Sequence, residues 1–138
     1  MTYAGAIAGI KTAIAGVTGI KKVINGLPTS PQNLPLCYLE ASSGERSQAG
    51  QLTANKYRVI ATVCVPWQDN TLAEDQIAPF INTVPAAIDA NPALSGAVNL
   101  AKVTEWRTDV RAIAETQCRV IDFTIEVLDK APYRTAGF

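Results

Sequence analysis

Residues 56–65, Lys-Tyr-Arg-Val-Ile-Ala-Thr-Val-Cys-Val, decide the fold class. Tyr57, Val59, Ala61, Val63 and Val65 alternate with Lys56, Arg58, Ile60, Thr62 and Cys64. A period of two marks a strand, because successive side chains point to opposite faces of a sheet. The first set is wholly apolar and is expected to face a core. Pro66 ends the run, since it lacks the N–H that a strand ladder uses.

Working towards the N-terminus, Ser42 to Asn55 reads as a long polar excursion with Leu52 as its one large apolar residue. Hairpin loops usually hold about 2–5 residues, so a connection this long is expected to be functional or disordered. Leu36 to Ala41 and Ile20 to Asn25 read as strands. Between them, Asn25-Gly26 and Pro28, Pro31 and Pro35 mark a loop. In the opening segment Ile7, Ile10, Ile14 and Val17 fall at i, i+3, i+7 and i+10, the stripe of an amphipathic helix. Gly5, Gly9, Gly16 and Gly19 each weaken it by up to ~1 kcal/mol relative to Ala, so it is expected to be held by packing. Small residues there allow close approach to a sheet or to a neighbouring subunit. No positive charge precedes this segment, Lys11 interrupts it, and its apolar run is short of the ~20 residues of a membrane span. Neither a secretory signal nor membrane insertion is expected.

Towards the C-terminus, Trp67-Gln68-Asp69-Asn70 leads into Thr71 and Glu74, the T-x-x-E spacing of a capping box. Ile77, Phe80, Ile81, Val84 and Ile88 then give a helical stripe, and Pro79 and Pro85 within it predict a kinked or two-piece helix. Asn91-Pro92 closes the element and Ser95-Gly96 marks a turn. Val98 to Arg107 and Thr116 to Leu128 are expected to pair as an antiparallel ribbon, turning near Thr108-Asp109. Ile121, Phe123, Ile125 and Val127 alternate with Asp122, Thr124, Glu126 and Leu128, so one face is apolar. Pro132 to Phe138 reads as a short loose tail. The expected architecture is a single domain over residues 1–138. Its class is α+β, an antiparallel sheet covered by an N-terminal and a central helix in the order α-β-β-β-α-β-β.

Composition narrows the chemistry. Of 138 residues, 48% are hydrophobic and only 17% charged, against a globular norm nearer ~25%. Such low charge hints that assembly covers part of the surface. The 12 basic and 12 acidic residues cancel, which gives no general electrostatic footprint for nucleic acid. Histidine is absent, so Ser-His-Asp and Cys-His nucleophile systems and His-ligated zinc are excluded. Cys37, Cys64 and Cys118 are odd in number, far apart and set in strand-like runs. They read as buried reduced thiols, hence folding in a reducing compartment.

No phosphate loop, dinucleotide fingerprint or nucleophile elbow is present in the sequence. Asp122 and Glu126 share a strand face but lie ~13 Å apart at ~3.3 Å per residue, too far for an acid–base pair. Glu74-Asp75 sits where acids favour a helix N-terminus. Neither catalysis nor a cofactor or metal is expected. Trp67 and Trp106, each at a strand end beside polar residues, read either as a core edge or as interface anchors. Arg107, Arg111 and Arg119 with Asp109 and Glu105 read either as a solvated edge or as a partner-binding strip. Glu45 and Arg46, in the polar excursion, are candidate polar contacts to a neighbouring subunit or an adjacent assembly.

The order of elements resembles the tail-terminator (tail-completion) proteins of long-tailed bacteriophages. The resemblance is carried by the stripe Ile7/Ile10/Ile14, by Pro35-Leu36-Cys37-Tyr38 and by Tyr57 to Val63. Val103-Thr104-Glu105-Trp106 and Arg119 to Val127 continue it, so that it covers nearly the whole chain as a pattern. It implies a virion protein, assembled in the host cytoplasm, that forms a homo-oligomeric ring, typically a hexamer, at the head-proximal end of the tail tube. There it would end polymerisation of the tail tube protein and present the surface bound by a head-closure or connector protein. DNA would pass through the lumen without specific binding. Asp122 and Glu126 would then line the lumen, or else pair across subunits with arginines such as Arg107 or Arg119. The alternatives are another neck or tube component, such as a head-closure or tail tube protein, and a small-molecule-binding α+β domain.

Overall fold

The computed structural model describes residues 2–29, 34–49, 52–67 and 70–132. The elements in chain order are α1 (Tyr3–Ala15), β1 (Lys22–Asn25), β2 (Leu36–Ala49) and β3 (Leu52–Pro66). They are followed by α2 (Asn70–Ile77), α3 (Phe80–Asp89), a 3-10 turn (Leu94–Gly96), β4 (Leu100–Ile113) and β5 (Thr116–Pro132). The five strands form one sheet in the order β1-β2-β3-β5-β4. The α+β class holds, but the sheet is mixed, because β1 runs parallel to β2 while every other pair is antiparallel. β1 and β2 therefore begin at the same end of the sheet, Lys22 beside Leu36.

The core lies between the helices and one sheet face. Val59, Ala61, Val63 and Val65 of β3 and Ile121, Phe123, Ile125 and Val127 of β5 are buried there against Ile77, Phe80, Val84 and Ile88, with Ile81 partly buried. This is the packing that the two apolar stripes predict. The α1 stripe Ile7, Ile10 and Ile14 joins the same core, as does Val17 beyond the helix end. A Cβ on Gly9 would stand 2.7 Å from the Leu94 Cβ, so the small residue is what lets α1 approach the 3-10 turn. The central helix breaks in two at Ala78-Pro79, and Pro85 sits inside α3. Among the described residues no helix is long and apolar enough to cross a membrane.

Several expectations are corrected. Ser42 to Asn55 is not a loop: β2 and β3 stay paired out to Ala49↔Leu52, and β5 follows as far as Pro132. Small polar residues on both faces make a solvated ribbon look like a loop in sequence, because no apolar alternation marks it. The last hairpin turns at Ala114-Glu115, not at Thr108-Asp109, with both turn residues at positive φ. No Asn or Gly announces that turn. Thr71 lies inside α2 rather than capping it, and Glu74 reaches across to Arg119 instead. Gln68 and Asp69 before that helix, and residues 133–138 of the expected tail, lie outside the described residues.

The second face of the sheet is not purely polar either. At one end Leu36, Tyr38, Cys64, Ile113, Cys118 and Val120 form a smaller buried cluster, with Ile24 and Leu34 packed against it. All three cysteines are buried and unpaired.

Candidate functional site

Beyond that small cluster the second face is polar and cupped. Tyr38, Thr62, Asp122 and Arg107 stand in one row across β2, β3, β5 and β4. Residues of all four strands, among them Glu40, Arg58, Glu105, Arg107 and Arg111, line one hollow of about 470 Å³. Strand alternation puts them there: Glu40 and Arg58 each follow or precede a core residue, Leu39 and Val59, that is buried under the helices.

Arg111 organises one half of the hollow. Its Nη2 donates to Asp122 Oδ2 at 2.7 Å and its Nη1 to Asp122 Oδ1 at 3.3 Å, a forked pair. Nη1 also donates to the Tyr38 hydroxyl at 3.2 Å, so one side chain on β4 ties down a tyrosine on β2. Thr62 donates to Asp122 Oδ1 at 2.6 Å. Burial alone pushes the Asp122 carboxyl up, but the bonds from Arg111 and Thr62 outweigh it and hold the carboxyl below its ordinary range. The Asp122 hydrogen bonds raise Arg111 in turn, while burial pushes the Tyr38 phenol up.

The other half is a chain of charges. Glu45 of β2 accepts from Arg58 of β3 at 3.3 Å, and Arg58 and Lys56 each lie 3.8 Å from Glu126 of β5. Acid and base alternate from strand to strand, the arrangement that stabilises cross-strand neighbours.

Of the residues singled out in the sequence, the structure brings Glu105, Arg107, Asp109, Arg111 and Asp122 together on this face, and joins Glu45 to Glu126 through Arg58. Asp109 lies 3.5 Å from Arg111, and its Oδ1 accepts the backbone N–H of Val110 at 2.8 Å. The others lie apart. Arg119 is on the helix-covered face, donating to Glu74 of α2 and to Thr108. Arg46 points away from the hollow beside Asn55, and Trp67 is half-buried at the end of β3, its backbone N–H donating to Gln117. Trp106 is 49% exposed on the edge strand. Tyr38, Thr62 and Arg58 were missed as site residues. Their signal was the polar half of the strand alternation, which sequence reasoning treated as solvated surface.

No protein-family model matches the chain. No curated protein matches it in sequence. A solved structure does: a chain of the virion of a native gene transfer agent particle shares its fold at a TM-score of 0.50 and 15% identity, covering 94% of this chain and 100% of that one.

Proposed function

We propose that this chain is a structural protein of a phage-like virion and forms a ring at the head-proximal end of a tail tube. In this reading the ring is a hexamer that ends polymerisation of the tube protein and offers the surface for a head-closure or connector protein. The observation that carries the reading is the fold shared end to end with a chain of a gene transfer agent virion. Coverage of both chains means that the likeness rests on the whole architecture, not on a common submotif.

The cupped face supports it. Its carboxylates Glu45, Asp109, Asp122 and Glu126 are engaged in ion pairs within the chain, an arrangement suited to a wall rather than to acid–base chemistry. We assign this face to the lumen and the helices to the outside of the ring. Asp122 and Glu126 then stand on the lumen wall already balanced by Arg111, Arg58 and Lys56. Passing DNA meets neutral pairs, and with 12 basic residues against 12 acidic ones the subunit has no excess positive charge to grip it.

Light scattering on the purified chain, with negative-stain images, tests the proposal. The expected species is a closed ring of about six times the 14.7 kDa subunit mass, seated once at tube ends when tail tubes are added. Monomers both alone and with tubes overturn it. Rings that stack without limit assign the chain to the tube itself.

A further inference from the structure

We infer that β4 is the strand by which one copy joins the next, pairing its outer edge with β2 of a second copy, and that Asp109 keeps this edge shut until it does. The inference rests on the ring reading and names its seam. The sheet ends at β4, so half of the backbone groups of this 14-residue strand have no ladder partner among the described residues. The turn at Ala114-Glu115 closes on the pair Ile113↔Thr116. In a two-residue hairpin that pair is hydrogen-bonded, so the odd-numbered residues Ile113, Arg111, Asp109 and Arg107 bond to β5. Trp106, Thr108, Val110 and Ala112 then direct their N–H groups outwards.

Two observations fit this alternation. The Val110 N–H is taken by the Asp109 carboxylate, not by β5. On the far side of the irregularity between Val103 and Glu105, the Ala101 N–H is taken by the Pro92 carbonyl. The edge is therefore covered at Ala101, guarded at Val110, and open between them, where Trp106 stands exposed. Asp109 has a second place to rest, since Arg111 Nη2 lies 3.5 Å from its Oδ2. Letting go of Val110 does not leave the carboxylate without a partner.

The occupant is a second copy for three reasons. β1 covers β2 only from Leu36 to Leu39, so among the described residues no strand lies beside the outer edge of β2 from Glu40 to Ala49, on the opposite side of the same sheet. Strand direction alternates from β2 to β4, so a following β2 continues the antiparallel pattern. Across such a seam Glu40 and Glu45 of one copy share the cupped face with Arg107 and Arg111 of the other. Joining unlike edges is a head-to-tail contact, the kind that builds a ring when its rotation closes.

The test is the concentration dependence of assembly for the full chain, read by mass photometry, in the wild type and three variants. Asp109→Ala removes the guard and is expected to lower the half-assembly concentration by about fivefold per contact, the worth of one modest hydrogen bond. Asp109→Asn still offers an oxygen to Val110 and is expected to behave as the wild type. Thr108→Pro removes an outward N–H without touching the ladder to β5 and is expected to give folded monomers, with a melting curve checking the fold. Rings that form alike in all variants overturn the seam while leaving the ring reading intact. A dimer that responds to Asp109 overturns β2 as the occupant, since β4 would be pairing with itself. Monomers throughout, Asp109→Ala included, both alone and with tail tubes added, overturn both.

Discussion

Asp122 shows how far a single residue's role depends on strands remote in sequence. The alternation of β5 assigns it to the face opposite Phe123, and so it is. On that ground alone, removing it would cost little. Its side chain is nevertheless only 14% exposed, held by Arg111 and Thr62. Asp122→Ala is expected to lower stability by about 2 kcal/mol, because it strips a charged partner from a half-buried guanidinium. Phe123→Ala, which opens a cavity in the main core, is expected to cost about 3–5 kcal/mol. Urea melts of both, with Glu126→Ala as a near-neutral comparison, measure this. The pH dependence follows from the depressed Asp122 carboxyl. The folded state holds fewer protons there than the unfolded chain, so the stabilisation is complete above about pH 4 and lost as pH falls through the folded value. The urea midpoint of the wild type should therefore fall more steeply with acid than that of Asp122→Asn. The thiols give a further check. Burial pushes Cys64 up to about 12 and Cys37 higher still. A thiol reagent at neutral pH should label neither until the protein unfolds.

Strong periodicity made the elements legible where one face meets the core. The stripe of α1, the break at Pro79, β3 between Lys56 and Val65, and the apolar face of β5 were all readable. What escaped was local chemistry without a compositional sign: the polar ribbon, the direction of β1 and the turn at Ala114-Glu115. That turn holds two ordinary residues at φ 49° and 68°, a conformation costing roughly 1–2 kcal/mol for each residue with a Cβ. Ala114→Asn with Glu115→Gly is expected to stabilise the fold by about 1 kcal/mol, visible as a higher melting temperature. Gly9 argues the opposite case. Helix propensity alone favours Gly9→Ala by up to about 1 kcal/mol. The Leu94 Cβ would lie 2.7 Å from the new methyl group, so the variant is expected to be less stable by about 1–3 kcal/mol.

At the scale of the molecule, the candidate site was legible only in part, because it is made by register. Sequence alternation tells which residues share a face of one strand; it does not tell that Tyr38, Thr62, Asp122 and Arg107 share a row across four strands. The same register has a consequence for biosynthesis. β3 lies between β2 and β5, and the Thr62–Asp122 bond joins positions 60 residues apart. While the chain emerges, β3 must wait with one side unpaired until β5 follows, the slow, non-local closure expected of such topologies. β4 emerges earlier than β5 yet has no place in the sheet until β5 arrives, since β5 lies between it and β3. The proposed joining strand is thus positioned last, so a nascent subunit carries its β2 edge well before its β4 edge can pair with a neighbour.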